Sequence, residues 1–177
     1  MKILVHVCCA PCFAYPHKRL VEEEHEVVGF WYNPNIHPYM EYKARKDALK
    51  KYAEIEKVKI IYGAYDFIDY LKMQLKTTER PERCINCYLY RLEKTALYAK
   101  ENDFDSFTTT LLVSHHQYHS EIKRIGEEIG ERNGIPFYYE DFRVGWNQSK
   151  AITKLYSLYT QKYCGCLISE WERFGGK

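Results

Sequence analysis

Short runs of β-branched and aromatic residues alternate with helical segments along most of this chain, and this alternation constrains the fold more than any other feature. The predicted strands cover 2–8, 26–32, 58–62, 104–114 and 137–142. The predicted helices cover 13–24, 39–54, 65–75, 88–101, 118–133 and 147–160. Parallel strands need crossover connections, which are usually helices and right-handed. The alternation therefore predicts an α/β fold with a doubly wound parallel sheet of five strands.

The length of 177 residues predicts a single domain, 1–177. Its helical C-terminal extension, 147–177, carries Cys164 and Cys166 and is expected to fold back over the strand ends. No apolar stretch approaches the roughly 20 residues that cross a bilayer, so we expect a cytoplasmic protein without a membrane segment. A net charge of +2 is too small to indicate nucleic-acid binding. The basic run that contains Lys43 and Arg45 is either a solvated helix surface or a basic face.

Seven cysteines fall in three tight groups at the start, middle and end of the chain. The groups are Cys8, Cys9 and Cys12, then Cys84 and Cys87, then Cys164 and Cys166. The count is odd, the density is about half that of disulfide-rich secreted chains, and the cytoplasm is reducing, so we expect no disulfides. Thiolates favour iron–sulfur clusters and zinc. The grouping predicts a soft-metal site, with thiol redox chemistry or buried inert cysteines as alternatives.

The number of thiols exceeds what one metal centre needs. Four thiolates complete a four-iron cluster or a structural zinc site, and seven leave three over. Cys8 and Cys9 are adjacent in an extended segment, so their side chains are expected to point to opposite sides and to serve different partners. Both observations favour two metal centres.

The loops after the predicted strands carry further candidate residues, because ligands of doubly wound sheets bind at the carboxyl ends of the strands. His116 and His119 follow the fourth strand and are candidate proton donors. Asp141 and Arg143 follow the fifth strand, either as functional groups or as a structural ion pair. His6 lies within the first strand and is expected to be a hydrogen-bonded core histidine.

Five ordered motifs resemble the epoxyqueuosine reductase QueH family, from residue 3 to about residue 169. They are His6-Val7-Cys8-Cys9-Ala10-Pro11-Cys12, Arg83-Cys84-Ile85-Asn86-Cys87-Tyr88 with Arg91-Leu92-Glu93, the run Phe107 to Ser114, Glu140-Asp141-Phe142-Arg143, and Tyr163-Cys164-Gly165-Cys166. Two positions depart from the family pattern: His115 replaces an expected proline and Thr160 an expected arginine. Neither change removes a thiol.

The resemblance implies an adenine-nucleotide-hydrolase-like (HUP) fold and a cobalamin-independent oxidoreductase. The implied reaction is the two-electron reductive deoxygenation of epoxyqueuosine, at the wobble position of tRNA, to queuosine. The implied cofactors are a 4Fe-4S cluster and a second, mononuclear iron, with electrons from a donor that the sequence does not identify. The chain has no Gly-x-Gly-x-x-Gly and no Walker pattern, which argues against an adenylating sulfur-transfer enzyme.

Under this interpretation every thiol except Cys12 receives a metal. The hypothesis assigns the four-iron cluster to Cys9, Cys84, Cys87 and Cys166. It assigns the second iron to Cys8, Cys164 and Asp141. Cys12, at the start of the first helix, is either a further ligand or a partly buried free thiol.

Cationic and aromatic residues near the thiols are the expected tRNA contacts. Arg83, Arg91, Arg143 and Tyr88 are the first candidates, followed by Arg80, Tyr138, Tyr139 and Trp146. Arginines would hold the RNA backbone, and aromatic rings would stack on an extruded base. The competing interpretation is a zinc-stabilised RNA-binding module without redox activity, whose thiols only hold the tail against the sheet.

Overall fold

A parallel sheet of four strands forms the centre of the computed structural model, which describes residues 1–176. The strands are β1 (Lys2–His6), β2 (Glu26–Trp31), β3 (Lys59–Tyr62) and β4 (Ser106–Thr109), in the order β3-β2-β1-β4. β1 pairs with β2 and β4, and its residues Ile3, Leu4 and Val5 are fully buried. A strand covered on both faces is expected to be continuously apolar. The predicted parallel α/β arrangement is confirmed.

Within residues 1–176, seven α-helices surround the sheet. They are α1 (Ala10–Glu22), α2 (Tyr39–Glu56), α3 (Phe67–Gln74), α4 (Glu82–Glu101), α5 (His119–Asn133), α6 (Trp146–Leu155) and α7 (Leu167–Phe174). α1 packs against α2 and α6, whereas α4 packs against α3 and α5. None of the helices in this described part combines the length and apolarity that a membrane crossing requires.

The predicted fifth strand is wrong. Phe137 forms only an isolated parallel bridge with Phe107, and the chain then enters a 3₁₀ helix at Phe142–Gly145. The cause lies in the fourth strand, which ends at Thr109 instead of reaching residue 114. The hydroxyl of Thr109 accepts a hydrogen bond from the amide of Leu111 and begins a 3₁₀ helix, Thr110–Val113. β4 is therefore too short to pair with a full strand on its outer side.

Two helix boundaries near the cysteines differ from the predictions. α4 begins at Glu82 instead of residue 88, so that Cys84 and Cys87 lie in its first two turns. The short helix α7 was not predicted at all, and Cys166 is its N-cap. The helix predicted over 147–160 is shorter in the structure, Trp146–Leu155. Two of the three cysteine groups thus lie at helix starts that sequence periodicity did not locate.

Candidate metal centre

A cavity of about 960 Å³ opens where β1, β2 and β4 end. Cys8, Asn33 and Leu111, which follow these three strands, form part of its wall. The opposite wall comes from the segment 157–164 and from α7. Four thiols line the cavity: Cys8, Cys12, Cys84 and Cys164. The sheet edge and the tail thus enclose one sulfur-rich space, as expected for a ligand site at the carboxyl ends of parallel strands.

Cys8, Cys9 and Cys12 form the N-terminal triad, whose sulfur atoms all lie within 4.8 Å of one another. Cys9 is the N-cap of α1, and its Sγ accepts a hydrogen bond from the Cys12 amide at 3.4 Å. Pro11 occupies the first turn of α1, where a missing amide proton costs nothing. The tight spacing of the three cysteines and the helix start together bring Cys12 next to the other two sulfurs.

The expected divergence of Cys8 and Cys9 is wrong, because their Sγ atoms are only 3.9 Å apart. Side chains alternate only within a strand, and β1 ends at His6 before either cysteine. Hydrogen bonds from the thiols of Cys12 and Cys9 lower the pKa of Cys8. Burial raises the pKa of Cys9, and the hydrogen bond to Cys8 raises that of Cys12. The triad therefore favours one thiolate stabilised by two thiols.

Residues at the end of β4 support the triad. The hydroxyl of Thr110 donates to Cys8 Sγ at 3.1 Å and accepts from the Cys8 amide at 3.0 Å.

His6 is fully buried, with Nδ1 2.9 Å from the Thr109 hydroxyl and Nε2 3.2 Å from the Tyr32 carbonyl. Burial lowers the pKa of His6 to about 3, so the imidazole is neutral at physiological pH. His6 is the hydrogen-bonded core histidine that the sequence predicts.

Cys84, Cys87, Cys164 and Cys166 form the second thiol group, between the start of α4 and the tail. Burial raises the pKa of Cys84 to about 11, and the charges of Cys164 and Cys87 add to the increase. Burial also raises the pKa of Cys87, and Cys164 and Cys166 act on it in the same direction. The tail thus brings Cys164 and Cys166 close to the two thiols of α4.

Arg45 of α2 holds the tail in place. Its Nη1 and Nη2 donate to the backbone carbonyls of Cys164 and Tyr163 at 2.9 and 3.0 Å, while Nε donates to Glu41 at 2.7 Å. The arginine is 2% exposed, so it belongs to neither the solvated surface nor the basic face expected for this run. A buried guanidinium with three partners fixes the backbone on which Cys164 lies.

Three further contacts link the tail to the sheet edge. The amide of His37 donates to the carbonyl of Gly165 at 2.7 Å, and Gly165 has φ 138°, a conformation that favours glycine. The side-chain amide of Gln161 donates to Cys9 Sγ at 2.9 Å. That of Gln117 donates to Cys164 Sγ at 3.5 Å. Amide groups from the tail and from the loop before α5 thus reach both thiol groups.

Asp141 and Arg143 form a bidentate ion pair outside the cavity. Nε and Nη2 of Arg143 donate to the two carboxylate oxygens of Asp141 at 2.8 and 2.6 Å. These hydrogen bonds lower the pKa of Asp141 to about 2. His119 lies beside the pair, 3.9 Å from the carboxylate and 3.1 Å from the Tyr139 hydroxyl. Asp141 and His119 are not among the residues that line the cavity, whereas His116 is. Arg143 binds both carboxylate oxygens of Asp141, the expected iron ligand.

Three of the residues expected to contact tRNA are buried. Arg83 and Arg91 are 3% and 2% exposed, and Tyr88 is 2% exposed. Arg83 donates to Glu172 of α7 at 2.6 Å, and the hydroxyl of Tyr88 donates to the side chain of Gln117 at 2.7 Å. Burial leaves Arg83 and Tyr88 little surface for a phosphate contact or a base stack, whereas Arg91 lines the cavity. Arg80, which is exposed, pairs with the same Glu172 at 2.8 Å.

Known proteins match this chain over the range that contains these motifs. A family model described as "Epoxyqueuosine reductase QueH" matches residues 3–172. The chain belongs to the QueH family. A relative from Dehalococcoides mccartyi named epoxyqueuosine reductase QueH is 39% identical over 175 residues, which is 98% of this chain and 95% of the relative. A Thermotoga maritima protein of the same name is 34% identical over 179 residues, 97% of this chain and 91% of that protein. The predicted family is confirmed.

A solved structure supports the fold of this QueH-family chain. A Methanocaldococcus jannaschii protein described as a "predicted subunit of tRNA methyltransferase" superposes with a TM-score of 0.52. The match covers 86% of this chain and 76% of that protein at 13% identity. At this identity the likeness concerns the α/β fold alone.

The sulfur atoms of this QueH-family chain fit a metal. All seven cysteines are free thiols. Three sulfurs within 4.8 Å are enough to hold a metal ion, and thiolate donors select iron or zinc over magnesium and calcium. Cys12, which the sequence left between ligand and core thiol, is positioned as a third sulfur of the triad.

Arg45 and Gln161 are the site residues that sequence reasoning missed. Arg45 stands among lysines in an amphipathic helix, and its partner Glu41 has the i, i+4 spacing typical of exposed helix pairs. Gln161 precedes the last cysteines, and only the long-range contact with Cys9 shows what its amide does. Neither residue carries a local signal of burial.

Proposed function

We propose that this chain is an epoxyqueuosine reductase, which removes the epoxide oxygen of epoxyqueuosine in tRNA and leaves queuosine. The observation that carries the proposal is the pair of free-thiol groups around one cavity, in a chain that matches QueH relatives over nearly its whole length. Breaking both carbon–oxygen bonds of an epoxide and forming the alkene consumes two electrons and two protons and releases water. A redox-active metal site beside a substrate cavity could deliver the two electrons that this reaction needs.

The thiols divide into three and four, which suits two metal centres. The second thiol group provides the four thiolates of a 4Fe-4S cluster, and the N-terminal triad provides three ligands for the mononuclear iron. The sequence-based assignment differs in two places: it puts Cys9 with the cluster and Cys164 with the single iron. The new division follows the contacts of Cys9 with Cys8 and Cys12 and the effect of Cys164 on the pKa of Cys84.

The bound iron centres would supply the reducing equivalents and the Lewis acidity that epoxide opening requires. The residues of the chain bind the substrate and move protons. The cavity, at about 960 Å³, is large enough for one extruded base with its substituent. His116 lines it, and its imidazole is the proposed donor of a proton to the departing oxygen. His119 and Asp141 remain outside, held beside Arg143.

Exposed cations around the cavity are the proposed tRNA contacts in place of the buried arginines. They are Arg80, Lys150, Lys154, Lys162 and Arg173. Trp146 also lines the cavity, and Lys150 lies over its ring at 6.0 Å. Cations that hold phosphates release counterions, so tRNA affinity should fall steeply with added salt. Charge reversal at Lys150 or Lys154 should weaken binding without changing the iron content.

The decisive experiment is anaerobic reconstitution with iron and sulfide, followed by incubation with tRNA that carries epoxyqueuosine and a chemical reductant. The expected result is brown protein and a loss of one oxygen from the modified nucleoside in mass spectrometry. Colourless protein with stoichiometric zinc, and tRNA that binds unchanged, would support the zinc-stabilised RNA-binding module instead. Metal-free protein serves as the control, because it should leave the epoxide intact.

The division of the thiols is tested with single Cys→Ser variants. Cys84→Ser should lose both iron and acid-labile sulfide, whereas Cys9→Ser should lose only the single iron and keep sulfide. Loss of sulfide in Cys9→Ser would restore the sequence-based assignment of Cys9 to the cluster. Normal iron and sulfide in both Cys84→Ser and Cys87→Ser would exclude the cluster from the second thiol group.

A further inference from the structure

Arg91 of α4 is a buried guanidinium without a carboxylate partner. The side chain is 2% exposed and lines the cavity. Its Nε donates to the backbone carbonyl of Cys87 at 3.3 Å, and its Nη2 has no hydrogen-bond partner among the described residues. The two other buried arginines differ, because Arg45 and Arg83 each donate to a glutamate, at 2.7 and 2.6 Å.

The cavity places Arg91 beside thiols of both groups. Arg91 lines it together with Cys8 and Cys12 of the N-terminal triad and with Cys84 and Cys164 of the second thiol group. Burial lowers the pKa of Arg91, but the charges of Cys87, Cys164, Tyr70 and Cys8 raise it above its ordinary value. Arg91 therefore interacts with both thiol groups. An unpaired ion in a protein interior costs several kcal/mol, so a permanent guanidinium here requires compensation by negative charge on the sulfurs.

Resting on the proposed function, we propose that Arg91 is the counter-charge of the thiolate-held redox centre and makes that centre easier to reduce. Each electron that enters adds one negative charge to the centre, and a fixed positive charge in a low-dielectric interior stabilises the added charge. Net charge, hydrogen bonds and solvent exposure together set the reduction potential of iron–sulfur centres. Arg91 thus raises the reduction potential of the centre from a position beside the metal ligands. This role replaces the predicted contact with an RNA phosphate.

The test compares three variants of the reconstituted protein. Arg91→Met removes the charge and keeps an extended side chain, Arg91→Lys keeps the charge, and Lys94→Met removes an exposed charge from the same helix. The midpoint potential is measured by anaerobic dye-mediated titration, with iron and sulfide counted in each sample. In Arg91→Met we expect the ratio of reduced to oxidised centre at a fixed potential to fall at least tenfold, a downward shift of about 59 mV for one electron.

The other variants and the wild type complete the test. Arg91→Lys should retain most of the wild-type potential, and Lys94→Met should keep it unchanged. A wild-type potential in Arg91→Met would overturn the proposal, and weaker tRNA binding at that same potential would return Arg91 to the RNA-contact assignment. A wild type that takes up no reducible centre contradicts the proposed function itself, before any variant is compared.

A second measurement applies where Arg91→Met does not take up metal. Replacing a buried, unpaired ion by an apolar side chain of similar size is often neutral or stabilising. The metal-free Arg91→Met protein should therefore unfold at the same urea concentration as metal-free wild type, or at a higher one. A lower urea midpoint would show that Arg91 is a structural residue and would overturn its assignment as a counter-charge.

Discussion

The two thiol groups around the cavity are built in opposite ways. The N-terminal triad lies within five consecutive residues on the β1–α1 connection, whose backbone belongs to the core. The second thiol group joins the start of α4 to a tail held by Arg45 and, through α7, by Arg83. Local backbone geometry fixes the positions of the sulfurs in the N-terminal triad. In the second thiol group, a few polar bonds between residues distant in sequence fix them. The comparison indicates that the tail is the part of the site most sensitive to substitution.

Arg45→Met should have the largest effect, confined to the second thiol group. The substitution leaves Glu41 without its partner and frees the carbonyls of Tyr163 and Cys164. Breaking a buried ion pair costs about 3–5 kcal/mol, so the free energy of unfolding in urea should fall by that amount. The released tail should also become sensitive to trypsin at the exposed Lys162.

Lys43→Met is the matched control for Arg45→Met, because Lys43 pairs with Asp47 on the exposed face of the same helix at 2.7 Å. Its effect on the free energy of unfolding should be far smaller than that of Arg45→Met, because exposed ion pairs add little stability, and no new tryptic cleavage should appear. Equal stability of the two variants would contradict the role of Arg45 in holding the tail.

Gly165→Ala should have the second largest effect. Gly165 has φ 138°, and an added Cβ would lie 3.2 Å from Cγ1 of Ile36 and 3.4 Å from Nη1 of Arg45. A non-glycine residue in such a conformation costs about 1–3 kcal/mol. Gly134→Ala is the control, with φ 66° at the end of α5 and only an ordinary contact between the new Cβ and Nζ of Lys100 at 3.7 Å. Both variants should lose stability, but only Gly165→Ala should speed trypsin cleavage of the tail.

A smaller effect is expected at the helix cap of the N-terminal triad. In metal-free protein, Cys9→Ala removes the acceptor of the Cys12 amide, and loss of an N-cap costs about 1 kcal/mol. Cys9→Ser keeps an acceptor at the cap and should unfold at nearly the wild-type urea concentration. Equal midpoints for the two variants would show that the Cys9 sulfur does not act as a cap.

Asp141→Asn should have the smallest effect and should leave both thiol groups intact. Arg143 lowers the pKa of Asp141 to about 2 in the folded protein, below about 3.9 for an unfolded chain. The stabilisation is therefore present above about pH 4 and lost as the pH falls towards 2. Because the pair is largely exposed to solvent, its contribution to stability should be small.

The free energy of unfolding is measured by urea titration between pH 2 and 5. In Asp141→Asn it should lack the decrease that protonation of Asp141 causes in the wild type. Asp69→Asn, which removes a carboxylate exposed on α3, is the control for the loss of one charge. Iron and sulfide should match wild type in Asp141→Asn. Loss of the single iron would instead restore Asp141 as a ligand.

The sheet was predictable where strands are apolar on both faces, and less so at its edge. β1 is recognisable from Ile3, Leu4 and Val5, whose burial is complete. The fifth strand failed because pairing depends on a neighbour, and Thr109 ends β4 through a side-chain hydrogen bond that composition does not reveal. Phe137 and its neighbours do have strand propensity, but β4 is too short to pair with them as a full strand.

The thiols of the site were predictable, but their arrangement and their polar partners were not. Cysteine is rare enough that three tight groups indicate a metal without any structure. The relation of Cys8 to Cys9 depended on where β1 ends. The strand ends at His6, two residues before Cys8, and strand propensity does not place a boundary that accurately. Arg91 and Arg45 looked like surface cations, because burial of a charged residue is set by partners distant in sequence.

The contact between Gln161 and Cys9 spans 152 positions of the chain, and it has a consequence for the order of assembly. On the ribosome the residues of the triad therefore emerge well before the amide that covers them. A nascent chain thus presents three closely spaced sulfurs to its surroundings until Gln161 has been made. Iron can reach these sulfurs freely until the C-terminal segment arrives, and so can oxidants, which makes the interval before tail docking the vulnerable period in the maturation of the protein.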